Sequence, residues 1–149
     1  MIDLLQQERA LMGQLVDGLS RDQLLAIPAS HRNNILWNLG HVVVTQQRLH
    51  YRLSGLDMYV TTETEEAFRT GTSPSDWTNT PDVETIRRLL DELPERLRVD
   101  LDARRFGGFR QYTTSTGIVL RSIEDALVFN HYHEGVHMGV MLSLRKLVG

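Results

Sequence analysis

Apolar residues along the chain recur with a 3.6-residue period in four long stretches, parted by polar segments rich in Gly, Pro, Ser and Thr, and this predicts four amphipathic helices. In the first, Leu4, Leu5, Leu11, Met12, Leu15, Val16 and Leu19 share a face, and Gly18 and Ser20 mark the end. Asp22 to Ile27 can add a helical turn before Pro28 blocks propagation, and His31-Arg32-Asn33-Asn34 reads as a loop closing on an asparagine cap. The second helix is expected from about Asn34 to Leu53, with Ile35, Leu39, Val42, Gln46, Leu49 and Leu53 on one stripe and Ser54-Gly55 as the stop.

From Leu56 to Thr80 the pattern dissolves into Thr, Ser, Gly and Pro, with only Glu63 to Arg69 resembling a short helix, so a long crossover is expected. Thr80 then reads as a cap with Pro81 at the first helical position, opening a third helix on the stripe Val83, Ile86, Leu90, Leu93, Leu97 and Leu101, kinked at Pro94. Phe106-Gly107-Gly108-Phe109 is a turn, and Gln111 to Leu120 carries the Thr, Tyr, Ile and Val of a small hairpin around Ser115-Thr116-Gly117. Ser122-Ile123-Glu124-Asp125 caps a fourth helix that runs almost to the last residue. Four long helices and no extended sheet make the fold class all-α, a four-helix bundle.

Composition narrows the function classes. With 149 residues, 41% hydrophobic and 23% charged, the chain suits one domain over residues 1–149 that buries a core without disulfides. Cysteine is absent, which excludes a thiolate nucleophile and any Cys-type zinc finger or iron–sulfur site. A formal charge of −3 argues against nucleic acid as a partner, because the surface has no excess of cations to displace counterions. No apolar run reaches the roughly 20 residues of a membrane span, and no basic segment opens the chain, so the expected location is cytoplasmic.

The chemistry concentrates in Asn130-His131-Tyr132-His133-Glu134-Gly135-Val136-His137. His133 and His137 are one turn apart on a common face, close enough to reach a single ion. Continuing the stripe gives Ile123, Ala126, Asn130, His133, His137, Val140, Leu144 and Leu147, which puts the pair on the core seam, where unpartnered imidazoles cost roughly 1–3 kcal/mol each. His131 points to another side of the helix. A third ligand must come from elsewhere, and His41 in Trp37-Asn38-Leu39-Gly40-His41 is the candidate: Trp37 lies one turn back, and Gly40 permits close approach of a neighbour. Periodicity alone does not aim His41 inward, since it sits about 120° from the centre of its helix's stripe.

The same segment spells His-Glu-x-x-His, which in zinc proteases supplies two ligands and a general base; here Glu134 is the candidate catalytic residue. Only twelve residues follow His137, none of them His, Asp or Glu, so the usual downstream ligand is missing. His31 and His50 read as surface residues, and Arg104, Arg105 and Arg110 as a small basic loop able to attract an anionic substrate. Glu8 interrupts the first apolar face, either as a bundle-edge residue or as an acceptor for an imidazole N–H.

Trp37-Asn38-Leu39-Gly40-His41, together with His133-Glu134-Gly135-Val136-His137-Met138-Gly139 and Leu144-Arg145-Lys146, resembles the DinB/YfiT-like family of metal-binding four-helix bundles over essentially the whole chain. The resemblance implies an up-down-down-up bundle, often dimeric, with His41, His133 and His137 holding one divalent metal ion, zinc or nickel above all and iron as a further option. It also implies a metal-dependent transferase that activates a low-molecular-weight thiol, bacillithiol-like or mycothiol-like, against an electrophilic substrate. The sulfur absent from the chain would then come from the cosubstrate. Arg110, Tyr112 and Glu134 are candidates for positioning groups around a cavity between helices two and four, rimmed by the crossover and by Phe106 to Leu120. Two other readings stand beside it: a metal-dependent hydrolase with Glu134 as base, and a non-catalytic stress-response or scaffold bundle.

Overall fold

The computed structural model describes residues 1–149 as six α-helices and one short hairpin. In chain order these are α1 (Ile2–Val16), α2 (Arg21–Leu25), α3 (Ile35–Gln47), α4 (Thr62–Phe68), α5 (Val83–Asp102), β1 (Tyr112–Thr113), β2 (Val119–Leu120) and α6 (Ile123–Val148). The four long ones, α1, α3, α5 and α6, correspond to the four predicted amphipathic stretches. Asn34 starts α3 by accepting the Trp37 N–H at 2.7 Å, and Ser122 starts α6 by accepting the Asp125 N–H at 3.2 Å. The cap of α5 is Asp82 rather than Thr80; its carboxylate accepts the Thr85 N–H at 2.8 Å, and Pro81 stays outside the helix. Past Gln47, α3 continues as a π-helical turn, Arg48–Arg52. The hairpin pairs Tyr112 with Leu120 and Thr113 with Val119, and turns at Gly117, whose φ of 83° suits a residue without Cβ.

Cross-helix pairs set the directions. Asp3 meets Arg98 and Asp17 meets Arg87, so α1 and α5 run antiparallel. Arg9 meets Glu134, and past the end of α1 Gln23 of α2 donates to the Val148 carbonyl at the end of α6, so α1 and α6 run the same way. Asn38 meets His137 and His41 meets His133, making α3 and α6 antiparallel. The π turn is tied to α5 by Tyr51 Oη, which donates to buried Asp100 at 2.8 Å; Arg105 donates to the same carboxylate at 2.7 Å and so is not merely a solvated loop cation.

Three placements differ from the one-stripe reading, each for a packing reason. α3 packs against α2, α4, α5 and α6, and every residue in it except Thr45 is buried. Its outer positions therefore face protein: His41 is buried and His50 is 0% exposed, not a surface residue, while His31 stays partly exposed in its loop. In α1 the inward stripe is Leu5, Arg9, Met12 and Val16, leaving Leu4 and Leu11 outside. In α6 a strict alternation of three and four residues drifts about 20° per heptad from a straight helix. By the C-terminal turns Met141 and Leu144 are inside and Leu147 is 54% exposed.

The crossover is folded onto α3. Phe68 of α4 is fully buried, its ring 5.6 Å from that of Trp77, whose indole N–H donates to the Ala67 carbonyl at 2.9 Å. Gly40 makes this seating possible: a Cβ there would lie 2.3 Å from the Phe68 ring.

Candidate metal centre

Three histidines from two antiparallel helices converge at the middle of the bundle. Nε2 of His41 lies 3.2 Å from Nε2 of His133, and one nitrogen from each of His41, His133 and His137 falls within a mutual span of 4.8 Å. His133 and His137 come from adjacent turns of α6, ring centroids 4.5 Å apart. His41 reaches them because the crossover holds its ring. Its Nδ1–H donates to the Phe68 carbonyl at 2.7 Å, and its face stacks on Trp37 at 4.4 Å with planes 12° apart. The close approach allowed by Gly40 is therefore what brings an acceptor to the far side of the imidazole.

A second anchor was not recognised in the sequence. Asn38 Oδ1 accepts the Nδ1–H of His137 at 2.8 Å, while Asn38 Nδ2 donates to the Asn34 carbonyl at 2.8 Å, which fixes which end of the amide faces the ring. The chain of bonds runs back through Asn34, whose Nδ2 donates to the Leu25 carbonyl at 3.2 Å and whose Oδ1 caps α3. An asparagine within an otherwise apolar helical run, three residues before His41, was the available signal.

These anchors test whether the residues suit a cation. With Nδ1 of His41 and of His137 committed as donors, the Nε2 of each presents a lone pair to the cluster, the tautomer a metal ligand needs. The 3.2 Å separation of two Nε2 atoms is close to the roughly 3.3 Å expected between nitrogens sharing a tetrahedral ion at 2.0–2.1 Å. His133 Nδ1 is buried without a partner. Burial pushes the pKa of His133 down to about 2, helped by neighbouring His137 and His41, and that of His137 down to about 4; His41 is lowered for the same reason. All three are thus neutral ligands at neutral pH. The donor set fits a divalent borderline ion with room for further ligands, and no carboxylate joins it.

A cavity of about 280 Å³ opens over the imidazoles. His41 and Thr45 of α3, Arg48, Leu49, Arg52 and Leu53 at and just past the π turn, and Thr70 of the crossover form one side. Phe129, Tyr132 and Val136 of α6 with Arg110, Tyr112 and Thr114 to Thr116 of the hairpin region form the other. The expected rims are thereby in place, and Arg110 and Tyr112 both line the space.

Glu134 is not brought to the site, which corrects its reading as a candidate general base and positioning group. It is 0% exposed and faces α1, where its two oxygens accept from Arg9 Nε and Nη2, each at 2.7 Å, and one also accepts from Asn130 Nδ2 at 2.7 Å. Arg9 adds a bond to the Val42 carbonyl at 3.1 Å. Glu8 does accept an imidazole N–H, at 2.8 Å, but from His131, outside the three-histidine cluster. Burial raises the Glu8 pKa against the opposing effect of that contact.

Against known proteins, a family model for the DinB superfamily matches residues 4–141. No curated protein matches the chain.

Proposed function

The chain belongs to the DinB superfamily, and from that premise we propose a divalent-metal-dependent transferase that activates a low-molecular-weight thiol, carried by one observation: three neutral imidazoles converge beneath a cavity. His41, His133 and His137 would hold the ion. A divalent ion such as zinc, nickel or iron supplies Lewis acidity that brings the pKa of a thiol into the neutral range.

The chain's own residues supply orientation. Phe68 and Asn38 hold two imidazoles in the ligating tautomer, and Trp37 packs the ring of His41. Leu49, Leu53, Phe129 and Val136 give the cavity an apolar lining that shields a reacting sulfur and its electrophile from bulk water. Because the chain has no cysteine, the nucleophilic sulfur must arrive with a cosubstrate. The hydrolase alternative rested on Glu134 as base. With both oxygens of Glu134 engaged by Arg9 and Asn130 on the far side of α6, support moves to the thiol reading.

The same reading takes the bundle as up-down-down-up, which the pairings of α1 with α5 and α6, and of α3 with α6, support. It places the protein in the cytoplasm, where small thiols stay reduced. It also makes the protein a homodimer: exposed Leu4 and Leu11 on α1 and Val128, Leu142 and Leu147 on α6 offer apolar surface to a second copy.

The test uses protein purified without an affinity column. Metal analysis should find about one ion per chain in the wild type and none in His137→Ala, with an unchanged helical circular dichroism spectrum. Consumption of a chloro-nitroaromatic electrophile should require added thiol. Full metal occupancy in the variant, or turnover independent of thiol, defeats the proposal.

A further inference from the structure

The lining of the cavity includes three arginines and no acidic residue, in a chain whose formal charge is −3. Arg48 and Arg52 both donate to one carboxylate, that of buried Glu65 on α4, with Arg52 Nη2 at 2.6 Å from Oε2. One carboxylate cannot neutralise two guanidiniums. Arg110 has no acidic partner at all. Its backbone N–H donates to the Leu53 carbonyl at 2.7 Å, which pins the start of the hairpin segment over the π turn. The mouth therefore carries a surplus of two positive charges facing a confined space. The side chains of Arg48 and Arg52 remain 39% and 43% exposed, so they keep donors free for a ligand.

The π turn bears on this arrangement. It presents Arg48 and Arg52 to the cavity together with Leu49 and Leu53, setting charge beside apolar surface. A wide turn of this kind is rare inside an α-helix and recurs at binding sites.

We propose that the cavity selects a small substrate bearing an anionic group, carboxylate or phosphate, which Arg110 binds directly while Arg48 and Arg52 supply the surrounding positive field. The apolar part of that substrate lies against Leu49 and Phe129, with its reacting end toward the histidines. This deepens the thiol reading above and rests on it for which end of the substrate reacts. Planar guanidinium forks match carboxylate and phosphate oxygens geometrically, and opposite charge in a cleft raises both encounter rate and selectivity.

Titration calorimetry on the full-length, metal-loaded protein tests it with 3-mercaptopropionate and 3-mercaptopropanol, which differ in charge, and with butyrate and phenyl phosphate, which lack sulfur. The anionic thiol should bind about tenfold tighter than the neutral one, a preference that shrinks as salt rises from 50 to 500 mM. In Arg110→Gln, at an exposed position, the preference should fall to near unity while affinity for mercaptopropanol stays unchanged. Equal binding of the two thiols by the wild type, a preference that survives Arg110→Gln, or no Arg110-dependent binding by any anion overturns the proposal. If butyrate or phenyl phosphate binds through Arg110, 3-mercaptopropionate binds no tighter than butyrate and mercaptopropanol does not bind, the anion subsite stands and the thiol reading falls. If both thiols bind alike, the thiol reading stands and the subsite falls. Which of the two sulfur-free anions binds decides between carboxylate and phosphate.

Discussion

Replacing Glu134 separates a structural carboxylate from a catalytic one. In the wild type Arg9 is 1% exposed and Glu134 0% exposed, joined by two bonds of 2.7 Å. Glu134→Leu leaves the Arg9 guanidinium inside the bundle with one remaining acceptor, the Val42 carbonyl, while Arg9 Nη1 already lacks a partner. Removing one member of a buried pair costs about 3–5 kcal/mol. In a domain of this size each kcal/mol moves the melting temperature by about 2–4 °C, so a fall of about 10 °C is expected. Arg9→Met should cost a similar amount. The double variant, with Leu and Met filling the space, should return to within about 2 kcal/mol of wild type, giving a coupling energy of about 4–8 kcal/mol. Urea unfolding followed by circular dichroism at 222 nm measures all four corners of the cycle. A Glu134→Leu protein as stable as wild type refutes the buried-pair account, and one that is stable yet inactive restores Glu134 as the base.

Two further outcomes follow from other parts of the site and core. Asn38→Leu removes the acceptor for the Nδ1–H of His137 and should weaken metal affinity about 10- to 100-fold, read by competition with a chelator, while the three ligands stay in place. His50 is enclosed, and burial pushes its pKa down to about 3. The unfolded chain therefore takes up its proton first as pH falls below about 6.5. Stability present at pH 7 is lost toward acid, with this one group contributing about 2 kcal/mol between pH 7 and pH 5. In urea titrations at the two pH values His50→Gln should lose about that much less than wild type; an identical loss refutes the assignment.

Much that depended on local spacing was legible in the sequence, although the cap of α5 fell two residues later than expected. The caps at Asn34 and Ser122, the turn at Gly117 and the shared face of His133 and His137 all follow from neighbours within a turn or two. Arg9 and His50 did not, because a charged or polar residue in an amphipathic pattern is assigned by default to water. Arg9 nonetheless sits four residues after Leu5 and three before Met12, on the inward stripe itself. The misplacement of Leu147 has a geometric origin, since a small phase error accumulates over the 26 residues of α6. His41 shows the harder limit. Its orientation depends on Phe68, 27 residues away, and on a folded crossover whose composition reads as loop. Its neighbours Trp37 and Gly40 made it the candidate third ligand, but only the family resemblance implied that it turns inward, and the physical reason is the contact of Gly40 with the Phe68 ring.

Ligands carried by packed helices and contacts carried by a hairpin obey different rules of change. His41, His133 and His137 sit in layers where a methyl group alters the packing, whereas Tyr112, Ser115 and Thr116 touch the cavity from exposed positions on a segment of a few residues. Relatives of this chain can therefore diverge in what they accept by rewriting the exposed positions 112, 115 and 116, leaving the three-histidine floor and the packed core of the bundle untouched.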